Sequence, residues 1–196
     1  MCNLYRLEKN PDAIRRLFAE VQIPLTFPEG IPNFEPRNVR ISEKAPIVRF
    51  NTDQGVAELV ERRWSWPAPG GKPVFNMRSD GREFGHDRCL AIADGFYEFT
   101  TPEDPKQKRK DCWLFEPTEG ELAIAGIIRS TADVGEAFTM LTVPPGPDIS
   151  PYHNRCRPSL RSCAPVSKLP PAVHETGAGE GIRTLDPNLG KVVLYP

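Results

Sequence analysis

Cys2, Asn76, Glu98 and His153 are the residues whose chemistry and setting stand out in this chain of 196 amino acids. Cys2 directly follows the initiator methionine. Aminopeptidases remove Met1 when the next residue is small, which would leave Cys2 at the terminus. A terminal cysteine carries an α-amine and a thiol on adjacent carbons. The α-amine titrates near ~7.7–8, against ~10.4 for lysine, so a useful fraction is neutral and nucleophilic at physiological pH. It can condense with an aldehyde to an imine, and the thiol can then close a five-membered thiazolidine ring. An internal cysteine cannot do this. Asn76, in Phe75-Asn76-Met77-Arg78, offers an amide that can orient a carbonyl or hydroxyl. Glu98 lies among aromatics in Gly95-Phe96-Tyr97-Glu98-Phe99, where burial would favour its protonated form and suit it to proton transfer. His153, in Tyr152-His153-Asn154-Arg155, suits proton shuttling near neutrality. Each of these residues also fits an ordinary role: a chain end, a turn, a solvent-facing strand position, an exposed histidine.

Positive charge gathers near Asn76. Residues 62–88 hold six Lys/Arg against three Asp/Glu, Arg78, Arg82 and Arg88 among them, the local excess that phosphate binding needs. A second run, Lys106-Gln107-Lys108-Arg109-Lys110, sits between two strand candidates and reads as a solvated loop. Net charge over the whole chain is only −1, so any nucleic-acid site must be a local patch.

The elements that must position these residues follow from pattern. The chain has 22 prolines and 15 glycines, close to a fifth of its length, which opposes a helical bundle and favours short strands joined by turns. A helix is predicted over residues 10–22: Asn10 caps it, Pro11 opens it, and Ile14, Leu17, Phe18 and Val21 form one apolar stripe. Pro24 stops it, and residues 24–46 read as an extended, turn-rich connection. Strands are expected at Ile47–Phe50, Val56–Trp64, Cys89–Phe99, Trp113–Phe115, Leu122–Ile128 and Phe138–Val143. In residues 156–196 only Val192–Tyr195 reads as a strand.

Five cysteines, an odd number with no CxxC spacing, speak against a disulfide framework and a zinc knuckle, and no metal or cofactor is expected. No apolar run approaches the ~18 residues of a membrane span, and no signal peptide is apparent. A cytoplasmic protein is expected.

Together the order and flanks of these residues are specific. Met1-Cys2, the Asn76-Met77-Arg78-Ser79 segment, Gly95–Phe99 and Tyr152–Arg155 resemble the SRAP family (SOS-response-associated peptidase, the abasic-site processing proteins). Arg63-Trp64-Ser65-Trp66-Pro67, Cys89–Gly95 and Ala125-Gly126-Ile127-Ile128 match as well. The resemblance covers residues 1–155. It implies an α+β fold, a compact domain around a curved, barrel-like antiparallel sheet with few helices. It implies an abasic-site sensor in single-stranded DNA that crosslinks through Cys2 and removes its own Met1 in a peptidase-like act; a monomer is expected. Asn76 would hold Cys2 and the sugar, Glu98 would move protons, and His153 would assist formation and reversal. Arg78, Arg82 and Arg155 would meet DNA phosphates. An N-terminal-cysteine amidohydrolase and an inactive remnant that only binds DNA are the alternatives.

Two departures stand out. Many members begin Cys-Gly-Arg, whereas Asn3 and Leu4 follow Cys2 here and Arg6 is the nearest cation. After Arg155 the family's apolar strand, Trp-containing helix and closing strands are not matched by Cys156-Arg157-Pro158-Ser159-Leu160. A shifted reading frame or a truncation near residue 155 is therefore expected, with a domain over 1–155 incomplete at its C-terminal end and a divergent, irregular tail over 156–196.

Overall fold

The computed structural model describes residues 3–118, 122–156 and 163–169. Its elements in order are β1 (Leu4–Leu7), α1 (Pro11–Glu20), β2 (Leu25–Thr26), β3 (Arg37–Arg40), β4 (Lys44–Asn51), β5 (Val56–Trp64), β6 (Trp66–Pro67) and β7 (Pro73–Val74). β8 (Asn76–Arg78), β9 (Arg88–Ala93), β10 (Gly95–Thr100), β11 (Asp111–Pro117), β12 (Leu122–Thr131), β13 (Gly135–Thr142) and β14 (Cys163–Leu169) follow. The expected α+β class with a barrel-like sheet and few helices is what the structure has: α1 is the one helix among the described residues.

The barrel is a closed ring in the order β5-β4-β9-β12-β13, with β13 returning to β5. Four of its pairings are antiparallel and the closing one is parallel, through Ala137↔Arg63 and Phe138↔Trp64. That short seam is reinforced by charge. Glu136 on β13 takes Arg49 of β4 at 3.0 Å and also pairs with Arg62 of β5, which reaches on to Glu29 at 2.6 Å. β2 and β8 extend the ring as parallel neighbours of β5 and β13. A second sheet, β3-β1-β10-β11-β14, is antiparallel throughout. One apolar core runs through the ring and under this sheet, with Trp64, Tyr5, Phe96, Phe115 and Phe138 its largest fully buried side chains.

Helix α1 forms as its sequence predicts. The Asn10 side chain accepts the Ala13 N–H, Pro11 stands in the first turn, and Ile14, Leu17 and Phe18 are buried. Elsewhere the chain departs from the reading of its sequence. The single strand expected over Cys89–Phe99 is two strands in two sheets. Its break is Asp94, whose carboxylate accepts the Glu8 N–H at 2.5 Å and the Lys9 N–H at 3.1 Å and pairs with the Lys9 ammonium. Gly95 follows because a Cβ there would lie 2.9 Å from the Phe115 carbonyl oxygen. The connection over 24–46 contains β2, β3 and the start of β4. β14 lies where an irregular tail was expected. Its backbone pairs with β11 across a register shift between Leu114 and Phe115, a geometry that accommodates Pro165. The strand expected at Val192–Tyr195 lies outside the described residues. No helix among the described residues is long and apolar enough to cross a membrane.

Candidate functional site

Glu98 sits on β10 and is 3% exposed. Its cross-strand partner is Trp113 of β11, and two residues back Phe96 faces Phe115 with rings stacked 5.3 Å apart. β1 lies on the other side of β10, antiparallel, with Tyr5 opposite Phe96 and Arg6 opposite Gly95. Its N-terminal end therefore runs toward the Glu98 end of β10. Cys2 lies outside the described residues.

His153 reaches this region through its neighbour. After β13 the chain leaves the barrel, turns over Gly146–Tyr152, and comes back at Cys156. Cys156 exchanges both backbone hydrogen bonds with Val143 at 2.8 and 2.9 Å. Within the loop so closed, Tyr152 packs edge-on against Trp113 at 4.8 Å and Phe115 at 5.2 Å. His153 thus follows directly a residue that rests on the partner of Glu98. Its Nδ1 lies 3.0 Å from the Arg155 N–H and 3.0 Å from the Arg155 carbonyl oxygen. A bare Nδ1 can accept from the amide, and a protonated Nδ1 can donate to the carbonyl. Nδ1 therefore finds a backbone partner on Arg155 in either state.

Asn76 opens β8, half-buried, opposite Met140 of β13. It is positioned through aromatics. The Trp64 indole N–H donates to the Phe75 carbonyl at 2.9 Å, and the same indole meets Phe75 and Tyr5 edge-on at 6.1 and 5.2 Å. Tyr5 pairs with Phe96 of β10, so the strand of Glu98 and the strand of Asn76 share one aromatic wedge. The backbone beside that wedge is strained. Ser65, 1% exposed between Trp64 and Trp66, has φ 105°, a conformation that costs a non-glycine residue about 1–3 kcal/mol. It is held by its N–H to the Phe138 carbonyl at 2.8 Å.

Thr142 ties Asn76's strand to the His153 segment. Its carbonyl oxygen accepts from the Ser79 N–H at 3.0 Å, the Ser79 hydroxyl at 3.1 Å and the Arg155 guanidinium at 2.7 Å. The same guanidinium pairs with Asp80 at 2.6 Å. Arg155 is therefore engaged inside the protein, whereas Arg78 and Arg82 are exposed and no ion pair among the described residues holds either. Arg6 is ion-paired with Glu116 and, at 3.4 Å, with Glu8. No group of three or more His, Cys, Asp and Glu among the described residues is arranged to hold a metal ion.

Sequence reasoning missed Trp64, Thr142, Asp80 and the Tyr152–Trp113 contact. Trp64 and Tyr152 were signalled by aromatic density and by their place in the family-like segments 63–67 and 152–155, whereas Thr142 and Asp80 were not, because a carbonyl that gathers three donors leaves no trace in residue type.

Fold and site together define a class: an α+β protein with a closed mixed barrel, a second antiparallel sheet, and polar residues from β8, β10 and the segment after β13 linked by shared aromatics. Solved structures share this fold. A phage-related protein from Bordetella bronchiseptica matches with a TM-score of 0.61 at 20% identity, over 82% of this chain and 78% of its own. Another protein from Bordetella bronchiseptica matches with 0.55 at 19%, over 80% and 82%. A protein from Bacteroides thetaiotaomicron matches with 0.56 at 14%, over 81% and 77%. A search of curated proteins returns no match. The family model for SOS response associated peptidase (SRAP) matches residues 1–168, and the chain belongs to that family. Membership associates it with the response to DNA damage.

Proposed function

We propose that this chain senses abasic sites in single-stranded DNA and captures them covalently through Cys2, exposed by loss of Met1. The observation that carries the reading is the shared address of three elements. The N-terminal end of β1 runs toward Glu98, Tyr152 sets His153 against the strand that faces Glu98, and Trp64 links Asn76 to the residue opposite Phe96.

The ring-opened abasic sugar is an aldehyde. The Cys2 amine adds to its carbon and water leaves, giving an imine. The thiol then adds across the C=N bond and the nitrogen takes the proton, closing the thiazolidine. One water is lost overall and nothing is oxidised or reduced. Asn76 orients the sugar and Cys2, Glu98 carries protons to and from the amine and the departing hydroxyl, and His153 does so in closure and reopening. Arg78 and Arg82 bind phosphates, and Arg155, fixed by Asp80 and Thr142, adds charge beside them.

Incubation with abasic single-stranded DNA, followed by denaturing electrophoresis, tests this. A denaturation-resistant adduct that vanishes in Cys2→Ala is expected. Glutamine hydrolysis without an adduct would make the chain an amidohydrolase. Salt-sensitive DNA binding alone would leave it a non-catalytic binder.

A further inference from the structure

We infer that the loop joining β10 to β11 is a second docking point for the phosphate backbone of single-stranded DNA, beyond Glu98. The inference rests on the reading of the chain as a single-strand binder and adds where the strand runs.

The loop is built to present cations. Lys106, Lys108, Arg109 and Lys110 are exposed, while Gln107 between them is half-buried. The Gln107 amide donates to the Asp111 carboxylate and to the Arg109 carbonyl, both at 2.9 Å. Asp111 is 6% exposed and stands opposite Thr100, at the base of the loop. Asp104 is occupied in the same way: its carboxylate accepts the Lys106 N–H at 2.9 Å and its carbonyl the Gln107 N–H at 3.0 Å. Asp104 thus shapes the loop's backbone, and Asp111 at its base holds the Gln107 side chain. Among the described residues no ion pair holds Lys106, Lys108 or Lys110.

Its location separates this loop from an ordinary solvated turn. Thr100 lies two residues beyond Glu98, roughly 7 Å along the strand. The Trp113 indole N–H donates to the Thr100 hydroxyl at 2.9 Å, so the loop's base is fixed to the residue that faces Glu98. β1 is antiparallel to β10, so the described chain begins, at Asn3, toward this same end of the sheet. Two further exposed cations, Arg78 and Arg82, belong to β8 and the turn after it, joined to the His153 segment through Thr142. A strand that touches both cationic groups crosses the site between them.

The test is binding of an undamaged, fluorescently labelled single-stranded oligonucleotide, by anisotropy across a salt series. Each phosphate neutralised contributes about 0.7 to the slope of log K against log salt. The triple variant K106Q/K108Q/K110Q is expected to lose about 2 from that slope and roughly 10- to 100-fold in affinity near ~0.1 M salt. K106R/K108R/K110R should restore both, which separates loss of charge from a damaged fold. The double variant R16Q/K44Q, with its exposed cations on α1 and β4, should keep the wild-type slope. A triple Gln variant with wild-type slope and affinity overturns the loop and leaves single-strand binding standing. An equal loss per charge in R16Q/K44Q also overturns it, as a general charge effect. A wild-type protein that binds no single-stranded DNA overturns both readings.

Discussion

Tyr152 meets Trp113 edge-on, ring centroids 4.8 Å apart, and Trp113 is the residue that faces Glu98 across the second sheet. This contact sets the residue before His153 against that sheet. Tyr152→Ala should cost about 1–3 kcal/mol in a urea titration, since the side chain is half-buried and its aromatic contacts are lost. It should also slow adduct formation, by up to ~100-fold if His153 shifts by an ångström. Tyr152→Phe keeps the ring and should stay near wild type in both. Equal adduct rates in all three proteins would remove Tyr152 from the positioning of His153.

Arg155 and Asp80 should be energetically coupled. Their ion pair, at 2.6 Å, spans the segments of His153 and Asn76, with the arginine side chain 15% exposed and the aspartate 41%. A double-mutant cycle with Arg155→Ala and Asp80→Ala should return a coupling of about 0.5–1.5 kcal/mol, weakened by salt because one partner is exposed. A coupling of zero would mean that Thr142 alone holds the guanidinium.

Gly126 is required by the spacing of three strands. It stands between Cys89 of β9 and Met140 of β13, and a Cβ there would lie 2.8 Å from the Thr139 carbonyl oxygen and 3.0 Å from the Cys89 sulfur. Because one obstacle is backbone, Gly126→Ala should destabilise by about 1–3 kcal/mol, read as a lower denaturant midpoint. An unchanged midpoint would show that the ring opens freely at this point.

Stability should fall in acid through Glu58. Its carboxylate accepts from Asn51 and from Arg49, both at 2.8 Å, and these bonds hold it below the ordinary value of 4.5. A depressed folded-state value stabilises the protein fully above the unfolded value, and that contribution is lost as pH falls through the folded one. The denaturant midpoint should therefore drop as pH is lowered from about 5. Glu58→Gln should be less stable at pH 7, by about 1–3 kcal/mol, with a shallower acid limb. An acid limb equal to wild type would exclude Glu58 as a source of the pH dependence.

Much of the local structure was legible. Asn10 and Pro11 open α1, and aromatic and β-branched runs mark β4, β5, β9 to β13. The division of Cys89–Phe99 was not, because nothing in the residue types distinguishes a strand that stays in one sheet from one that changes sheets. Three donors from residues 8 and 9 converge on Asp94 and make that change. β14 was hidden for a related reason: Cys-Ala-Pro-Val-Ser-Lys-Leu has little strand pattern of its own and pairs along an edge left by β11.

By itself the sequence determined the class of fold, the helix, most strands, the family, and the order in which Asn76, Glu98 and His153 occur. Those follow from local propensity, periodicity and motif, which are carried by neighbouring residues. Only the tertiary structure decided that β13 returns to β5 and closes the barrel, that one indole links Asn76's strand to that of Glu98, and that Tyr152 lays the His153 segment against Trp113. These contacts join residues far apart in the chain, and shape complementarity between buried rings and shared carbonyls selects them. Neither leaves a periodic signal in the sequence.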